Sequence, residues 1–205
     1  MLELDHVLIA TLDLAATSRA LESRFGLRSI EGGSHPGWGT QNRIVCLGNT
    51  YLELISVTEP RMARANAFGR WVERRSSTAG ALLGWAVRTD QIGDVSGRLG
   101  IGVESGSRAR PDGSMLHWRL AGLEEAASEP SLPFFIQWEV GSVHPGRASA
   151  AQGRMDELQL TGNVDRLSSW LGSSALPVTI VAGDPAVASV RISTTGGRSI
   201  LLDDG

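Results

Sequence analysis

The chain alternates short apolar stretches typical of strands with amphipathic stretches typical of helices, in an order that repeats. The first apolar stretch, LDHVLIAT, predicts a strand. DLAATSRALESRFG predicts a helix, because Leu14, Leu21 and Phe25 fall near one helical face. Asp13 is a suitable N-cap and Gly26 a suitable C-terminal stop for this helix. Three extended stretches follow, LRSIEGG, RIVCLG and TYLELISV.

The same order of predicted elements returns later in the chain. A second series runs from the strand ALLGWAVRT through the helix QIGDVSGRLG to the strands IGVESGSR, SMLHWRLA and LPFFIQWEV. A third runs from MDELQLT through NVDRLSSWLG to LPVTIVAG, ASVRIST and RSILLDD. The glycines that end the three helices, Gly26, Gly100 and Gly172, recur at intervals of 74 and 72 residues. This period indicates duplication of a βαβββ unit.

We therefore predict an α+β fold made of repeated βαβββ units with mixed sheets. Residues 1–145 are expected to hold two paired units, at about 1–58 and 80–140, joined by a helical linker. Residues 154–205 are expected to form a third, shorter βαβββ-like unit, which packs as an extra half-domain or closes an interface. The stretches EEAASEPS and VGSVHPGRASAAQG are interpreted as loops, because they are rich in Ala, Ser, Gly and Pro.

Composition favours a soluble globular protein. The chain has 205 residues, of which 41% are hydrophobic and 20% charged. No apolar run approaches the roughly 18 residues that a membrane-spanning helix needs. The N-terminal stretch lacks a basic region and carries Glu3 and Asp5, which argues against a signal peptide and favours a cytoplasmic location. Nucleic-acid binding is also disfavoured, because the net charge is −3 and no basic cluster stands beside aromatic residues.

The use of basic residues and cysteine narrows the chemistry. All 19 basic side chains are arginines, which excludes Schiff-base catalysis and a phosphate-binding lysine. The single cysteine, Cys46, lies within the strand RIVCLG and is expected to be a buried packing residue.

Strand alternation places two chemically active residues on one face. Val7 and Ile9 face the apolar side of the first strand, which leaves His6 on the opposite face. The same alternation in YLELIS separates Glu53 from its two leucine neighbours. Burying an unpaired carboxylate is costly, so Glu53 needs a metal, a cation or hydrogen-bond donors. Two interpretations stay open: His6 and Glu53 bind a metal, or they bond each other and nearby backbone groups.

These features resemble the vicinal oxygen chelate superfamily, and within it the glyoxalase-like proteins. The resemblance rests on LDHVLIAT with His6, YLELIS with Glu53, HPGWGTQNRIVCLG with His35, Thr40 and Asn42, and SGSRARPDGSMLHWRL in the second unit. It implies paired units whose curved mixed sheets surround a cleft. It further implies a divalent metal, with His6 and Glu53 as ligands. Zn, Ni, Fe and Mn are not distinguished, and a protein without a metal fits the sequence equally well.

The second unit departs from this pattern. Alignment with the first unit places Gly84 and Gln137 where the two expected ligands stand. Gly84 has no side chain, and the neutral oxygen of Gln137 is a weak ligand for a transition metal. A third donor is therefore needed, and His117, His35 and Gln137 are the candidates to complete or tune the site.

The stretch HPGWGTQN predicts a ligand-binding loop at the rim of the cleft. Thr40 and Asn42 supply short donors and acceptors there, beside His35 and Trp38. The alternative is a hairpin loop whose polar side chains satisfy its own backbone.

Three further polar residues stay ambiguous. His117 shares a strand face with Met115 and Arg119, and this face lines the cleft or meets water. Arg108 either binds an anion or is an exposed strand-end arginine. His144 lies in a predicted loop, where we expect it to be exposed.

The favoured function is a metal-assisted lyase or isomerase acting on a small oxygenated metabolite, with Glu53 as the catalytic residue. A metal-free protein of the same fold that binds and sequesters a small molecule is the alternative. Four tryptophans motivate it, since aromatic side chains line such pockets: Trp38, Trp85, Trp118 and Trp138. A domain kept only for assembly is a third hypothesis. We expect a small-molecule ligand and no nucleic acid or membrane as partner, and homodimer formation is left open.

Overall fold

The structure is a computed structural model that describes residues 1–172 and 174–204. Its elements follow the order strand, helix, strand, strand, strand three times, with two helices between the first and second series and one more inside the second. The elements are β1 (Glu3–Ala10), α1 (Leu14–Phe25), β2 (Ile30–His35), β3 (Thr40–Leu47), β4 (Thr50–Val57), α2 (Pro60–Arg64), α3 (Ala67–Arg75), β5 (Ala81–Arg88), α4 (Ile92–Leu99), β6 (Val103–Ala109), β7 (Met115–Ala121), α5 (Leu123–Ser128), β8 (Phe134–Trp138), β9 (Gly153–Gly162), α6 (Val164–Leu171), β10 (Val178–Ala182), β11 (Ala186–Thr194) and β12 (Ser199–Asp203).

The first eight strands close into a barrel in the order β1-β4-β3-β2-β6-β7-β8-β5. Strand β1 runs parallel to β4 and antiparallel to β5, and it joins the two units on one side. On the other side β2 meets β6 at the pair Ser34 and Ala109. The prediction of an α+β fold with curved mixed sheets is confirmed. Closure into a barrel was not predicted, because alternation within a strand does not reveal which edge it joins.

The last four strands form a separate sheet in the order β10-β9-β11-β12. This sheet shares one hydrophobic core with the outer face of the barrel, since Trp85 of β5, Leu158 of β9 and Trp170 of α6 belong to the same buried cluster. The indoles of Trp85 and Trp170 are hydrogen-bonded to the segment that precedes β8. Trp170 donates its N–H to the Pro133 carbonyl at 2.9 Å, and Trp85 donates to the Ser131 carbonyl at 3.1 Å.

Helix α3 packs into the barrel interior. Phe68 and Trp71 from this helix belong to a second buried cluster, together with Leu8 of β1 and Leu120 of β7. The Trp71 ring lies directly against Gly84 of β5, where an added Cβ would come within 2.3 Å of it. The position aligned in sequence with His6 is therefore filled by an indole from the segment between the two units.

Local signals account for most element boundaries. The Asp13 side chain accepts a hydrogen bond from the Ala16 amide at 2.9 Å and caps α1, while Gly26 ends this helix with φ of 75°. The prediction that EEAASEPS is a loop is wrong in part. It overlaps α5, whose Leu123 and Ala126, three residues apart, are both buried.

The structure also bears on the predicted burial of Cys46 and on the search for a membrane-spanning helix. Cys46 is buried as predicted, and its thiol donates to the Pro145 carbonyl at 3.4 Å. Within residues 1–172 and 174–204, no helix combines the length and apolar character that crossing a bilayer requires.

Candidate functional site

A cavity of about 30 Å³ lies inside the barrel. This volume holds about two water molecules, so a larger ligand must displace side chains near its mouth. One wall is polar and comes largely from the first unit, whereas the opposite wall is apolar and comes from α3 and the second unit. The lining residues are His6, Leu8, His35, Trp38, Asn42, Tyr51, Glu53, Phe68, Arg108, Trp118, Leu120, Leu123, Phe134, Ile136 and Trp138.

His6 and Glu53 meet at the centre of the polar wall. Nε2 of His6 lies 3.4 Å from Oε2 of Glu53, and both residues are buried. The parallel pairing of β1 and β4 brings them together, because it sets His6 beside Tyr51 and Leu8 beside Glu53. This arrangement agrees with the strand-alternation argument. Both interpretations, a pair of metal ligands or two side chains that bond each other and nearby groups, remain predictions at this distance.

Asp5 holds the other nitrogen of His6. Its Oδ1 lies 2.6 Å from Nδ1 of His6, which orients the imidazole so that Nε2 points toward Glu53. The second carboxylate oxygen accepts from Trp138 Nε1 at 3.0 Å and meets His144 Nε2 at 2.9 Å. The expectation that His144 is a surface residue is therefore wrong. Its loop folds back onto β1, and the imidazole satisfies a buried carboxylate.

Asp5 is fully buried and stays ionised. Burial alone would raise the pKa of this carboxyl, but hydrogen bonds and charge from His144 and His6 hold the pKa well below its ordinary value. Asp5 therefore stays negative over the physiological range.

The second oxygen of Glu53 is held by an amide. Oε1 accepts a hydrogen bond from Asn42 Nδ2 at 2.6 Å, and Asn42 Oδ1 in turn accepts from Arg108 Nη1 at 3.4 Å. Gly32 of β2 makes room for this amide, because a Cβ there would lie 2.1 Å from Asn42 Oδ1. Burial lowers the pKa of the Arg108 guanidinium, a group that stays charged at physiological pH.

His35 completes the polar wall as a neutral imidazole. Its Nδ1 is 2.9 Å from the Thr40 hydroxyl, and its Nε2 lies 4.0 Å from Oε1 of Glu53. Burial lowers the pKa of His35 to about 4, an effect that Glu53 opposes and Arg108 reinforces.

Tyr51 lies two residues before Glu53 on the same strand face. Its ring stacks on His6 with centroids 4.5 Å apart. Burial raises the pKa of the Tyr51 hydroxyl well above its ordinary value, and the charges of Asp5 and Glu53 add to this. The hydroxyl therefore keeps its proton and can donate it in a hydrogen bond to a ligand oxygen.

Aromatic rings form the apolar wall and the mouth. Trp38 lies 4.8 Å from Phe68 and 5.9 Å from Trp118 between ring centroids, and Trp118 lies 5.5 Å from Trp138. Trp38 is only partly buried. Trp138 is also partly buried, but its indole N–H is held by Asp5, so Trp38 is freer to move when a ligand enters.

The predicted site residues divide into two groups. His6, His35, Trp38, Asn42 and Glu53 all line the cavity, while Thr40 is buried and bonded to His35 behind it. His117 and Gln137 do not line it.

The prediction that His117 and Gln137 lie at the site is wrong. Both border a shallow groove on the outer face of the barrel, where Gln137 accepts from Arg119 Nη2 at 2.8 Å. On β7 the apolar residues Trp118 and Leu120 point inward, and the alternation turns His117 outward. Gln137 is likewise flanked by Ile136 and Trp138, which face the cavity instead.

Sequence reasoning missed several contributors to the polar wall. Tyr51 was detectable, because it shares the face of Glu53 by alternation. Asp5 and His144 were not, because their contact joins β1 to a distant loop. Arg108 carried only a weak signal as a strand-end arginine, and Trp85, interpreted as a pocket residue, belongs to the core outside the barrel.

The donors present do not make up a resident metal site. Among the described residues, no group of three or more His, Cys, Asp and Glu side chains could hold a metal ion. His6 and Glu53 are only two donors, whereas a catalytic zinc site has three protein ligands besides its water. His35, at 4.0 Å from Glu53, is the nearest third nitrogen. Its neighbour Arg108 adds a positive charge that disfavours a dication.

Comparisons with known proteins agree with this architecture. A sequence profile of the glyoxalase-like domain matches residues 4–173. A hypothetical protein from Staphylococcus aureus has a similar structure, with a TM-score of 0.67 over 100% of this chain and 87% of that one, at 16% identity. An identity this low establishes the fold and not an activity. No curated protein matches the chain.

Two methylmalonyl-CoA epimerases are more distant in structure. The enzyme from Streptomyces coelicolor in complex with 2-nitronate-propionyl-CoA gives a TM-score of 0.48 at 17% identity, covering 69% of this chain and 96% of that one. The enzyme from Mycobacterium tuberculosis gives 0.47 at 14% identity, covering 68% and 89%. Similarity at this level does not bear on activity.

Proposed function

The chain belongs to the glyoxalase-like domain family of the vicinal oxygen chelate superfamily, and from this premise we propose that it is an isomerase or lyase that moves a proton on a small oxygenated molecule. The observation that carries the proposal is the buried pair of His6 and Glu53, 3.4 Å apart, in the wall of a cavity. A carboxylate held among donors inside an apolar enclosure is suited to general-base chemistry.

Glu53 is the proposed base. A substrate with a C–H bond next to a carbonyl group would present that bond to Oε2, because Oε1 is already engaged by Asn42 at 2.6 Å. The carboxylate takes the proton, and the electron pair of the C–H bond moves toward the carbonyl oxygen. In an isomerase, the carboxylate then returns the proton to the carbon that carries it in the product. In a lyase, a leaving group departs from the carbon next to the deprotonated one.

His6 has a positioning role in this proposal. Asp5 fixes the imidazole through a 2.6 Å contact to Nδ1, and Nε2 then faces the carboxylate that carries the proton. Tyr51 is the proposed donor to the oxygen on which negative charge develops, because its hydroxyl keeps its proton. None of these steps calls for a resident metal.

Solvent exchange tests the proposal directly. We would incubate the protein in D₂O with a panel of small ketones, hydroxyketones and 2-oxo acids, and follow loss of the α-proton signal by ¹H NMR. We expect exchange with at least one compound, and we expect Glu53→Gln to lower its rate at least about 100-fold. Glu31→Gln removes an exposed carboxylate on β2 and should leave the rate unchanged. Equal rates for Glu53→Gln and the unaltered protein would refute the assignment.

Treatment with EDTA distinguishes this proposal from metal-assisted chemistry. Exchange by protein treated with EDTA should match that of untreated protein. Activity that disappears with EDTA and returns only with Zn, Ni, Fe or Mn would support His6 and Glu53 as metal ligands instead. In that case, His6→Ala should also abolish metal uptake measured by elemental analysis.

The aromatic wall favours one alternative function, a protein that binds and sequesters a small molecule without changing it. Trp38 and Trp118 both line the cavity, where their rings contact each other edge to face with centroids 5.9 Å apart, and they offer aromatic surface against which a planar ligand can stack. Tryptophan fluorescence with the same panel tests this alternative. Tight binding without exchange, unaffected by Glu53→Gln, would favour sequestration over catalysis.

A further inference from the structure

Arg108 is a buried cation that has no direct counter-ion among residues 1–172 and 174–204. Its side chain is only 6% exposed, yet among the described residues no carboxylate lies within 4.0 Å of the guanidinium. The charge of Glu53 acts on Arg108 from the cavity wall, and Asn42 is hydrogen-bonded to both residues. Buried charges in folded proteins are ordinarily paired, because an isolated charge is costly to remove from water.

The hydrogen bonds of Arg108 are also incomplete. Nε is buried and finds no partner within the part of the chain that the structure describes. The one side-chain bond recorded there for the guanidinium is that of Nη1 to Asn42 at a long 3.4 Å. A guanidinium offers five donor hydrogens in a planar fork, and this fork matches the two oxygens of a carboxylate. The group therefore retains unused donor capacity inside the barrel.

The cavity beside Arg108 has room for a carboxylate group and aromatic walls for the rest of the ligand. The guanidinium lines the same cavity as Glu53 and as the aromatic residues Trp38, Phe68 and Trp118. The cavity of about 30 Å³ beside the guanidinium holds about two water molecules, which the two oxygens of a carboxylate group would replace. A flat organic body attached to that group would extend under the partly buried Trp38.

We propose that the ligand of this cavity is a small carboxylate and that Arg108 pairs with its carboxylate group. The inference rests on the proposed function, whose substrate it narrows from an oxygenated molecule to an oxygenated acid such as a 2-oxo or aromatic acid. In this arrangement Arg108 anchors one end of the substrate while Glu53 acts on a carbon next to it. The carboxylate of the ligand then also serves as the counter-ion of the guanidinium, which none of the described residues provides.

Matched probes of different charge test the pairing. We would measure binding of benzoate and of its neutral counterpart benzamide by isothermal titration calorimetry, together with pyruvate as a small 2-oxo acid. We expect at least one of the two carboxylates to bind, and benzoate to bind at least about tenfold more tightly than benzamide. Equal affinity for the charged and neutral probes, or failure of both carboxylates to bind at millimolar concentration, would overturn the proposal.

Variants locate the interaction. Arg108→Gln should remove the preference for benzoate, whereas Arg119→Gln, which deletes an exposed arginine on the outer face of β7, should preserve it. Arg108→Lys keeps the charge without the planar fork, so it should bind benzoate more weakly while still preferring it to benzamide. An undiminished preference in Arg108→Gln would overturn the assignment. If that variant does not fold, Arg108→Lys and the probe pair still decide the question.

The outcome is separable from that of the proposed function. Preferential carboxylate binding without solvent exchange would leave the Arg108 assignment standing and reject Glu53 as a catalytic base. Exchange of neutral ketones, without any preference for carboxylates, would reject the Arg108 assignment and leave Glu53 standing as the catalytic base.

Discussion

Nε2 of His6 lies 3.4 Å from Oε2 of Glu53, and the opposite nitrogen of the same imidazole rests on a fully buried aspartate. The imidazole thus stands between two carboxylates, Asp5 behind it and Glu53 in front. Both oxygens of the rear carboxylate have nitrogen partners within 3.0 Å. In the front carboxylate only Oε1 has such a partner, Asn42 Nδ2 at 2.6 Å. The proposed roles rest on this asymmetry: Asp5 orients the imidazole, and Glu53 is the proposed base.

Asp5→Asn should destabilise the protein by about 3 kcal/mol at neutral pH, because it breaks a buried charge network. The folded-state pKa of Asp5 lies below its ordinary value of 3.8, so its contribution is complete above that pH and is lost as the pH falls further. The difference from the unaltered protein should therefore narrow by about 1 kcal/mol between about pH 6 and pH 3. Urea unfolding at both pH values measures the difference.

Asp90→Asn is the control for this variant, since Asp90 is exposed. It should change the free energy of unfolding by less than about 0.5 kcal/mol. A cost for Asp5→Asn as small as that of the control would show that the network does not support the fold.

His35 should titrate in the native protein with a midpoint of about 4, which ¹H–¹³C NMR of the imidazole can measure. The unfolded chain takes up this proton near the ordinary pKa of 6.5, before the folded protein does. Stability is therefore lost as the pH falls from 6.5 toward 4, by about 3 kcal/mol for this one group.

His35→Gln should remove that part of the pH dependence in urea unfolding. His117→Gln, at an exposed position on the outer face of β7, should retain it. A native midpoint for His35 near 6.5 would contradict its burial as a neutral imidazole.

Gly84→Ala should destabilise the protein by about 1–3 kcal/mol, because the new methyl group would overlap the Trp71 ring at 2.3 Å. Gly97→Ala in α4 is the matched control, since nothing lies within 4 Å of an added Cβ there. The control should be neutral or stabilising by up to about 1 kcal/mol through helix propensity. Thermal unfolding compares the two, and equal stabilities would show that α3 does not fill the barrel as described.

Trp170→Ala should cost about 3–5 kcal/mol in urea unfolding, because this fully packed indole joins the second sheet to the barrel. It also removes the hydrogen bond to the Pro133 carbonyl. Val164→Ala, on the same helix but 45% exposed, should cost less than about 1 kcal/mol. If Trp170→Ala were as mild as this control, the second sheet would not stabilise the barrel through α6.

Much of the candidate site followed from local rules. Alternation along β1 and β4 is a covalent property of extended chains, so it placed His6 and Glu53 on the inner face before any tertiary contact was known. The same rule left two choices on β7, because both of its faces carry bulky residues. The closed barrel took the face with Trp118 and Leu120 inward and left His117 outside.

The sequence by itself determined the succession of βαβββ units, the caps at Asp13 and Gly26, and the shared face of His6 and Glu53, because each of these depends on neighbours a few residues apart. Only the tertiary structure decided that Trp71 fills the space beside Gly84 and that His144 returns to Asp5. It also decided that Arg108 is buried with no carboxylate of the described residues within 4.0 Å of its guanidinium. Each of these outcomes depends on segments that are not neighbours along the chain. Their geometry depends on barrel closure and competing packing, and no local periodicity encodes that.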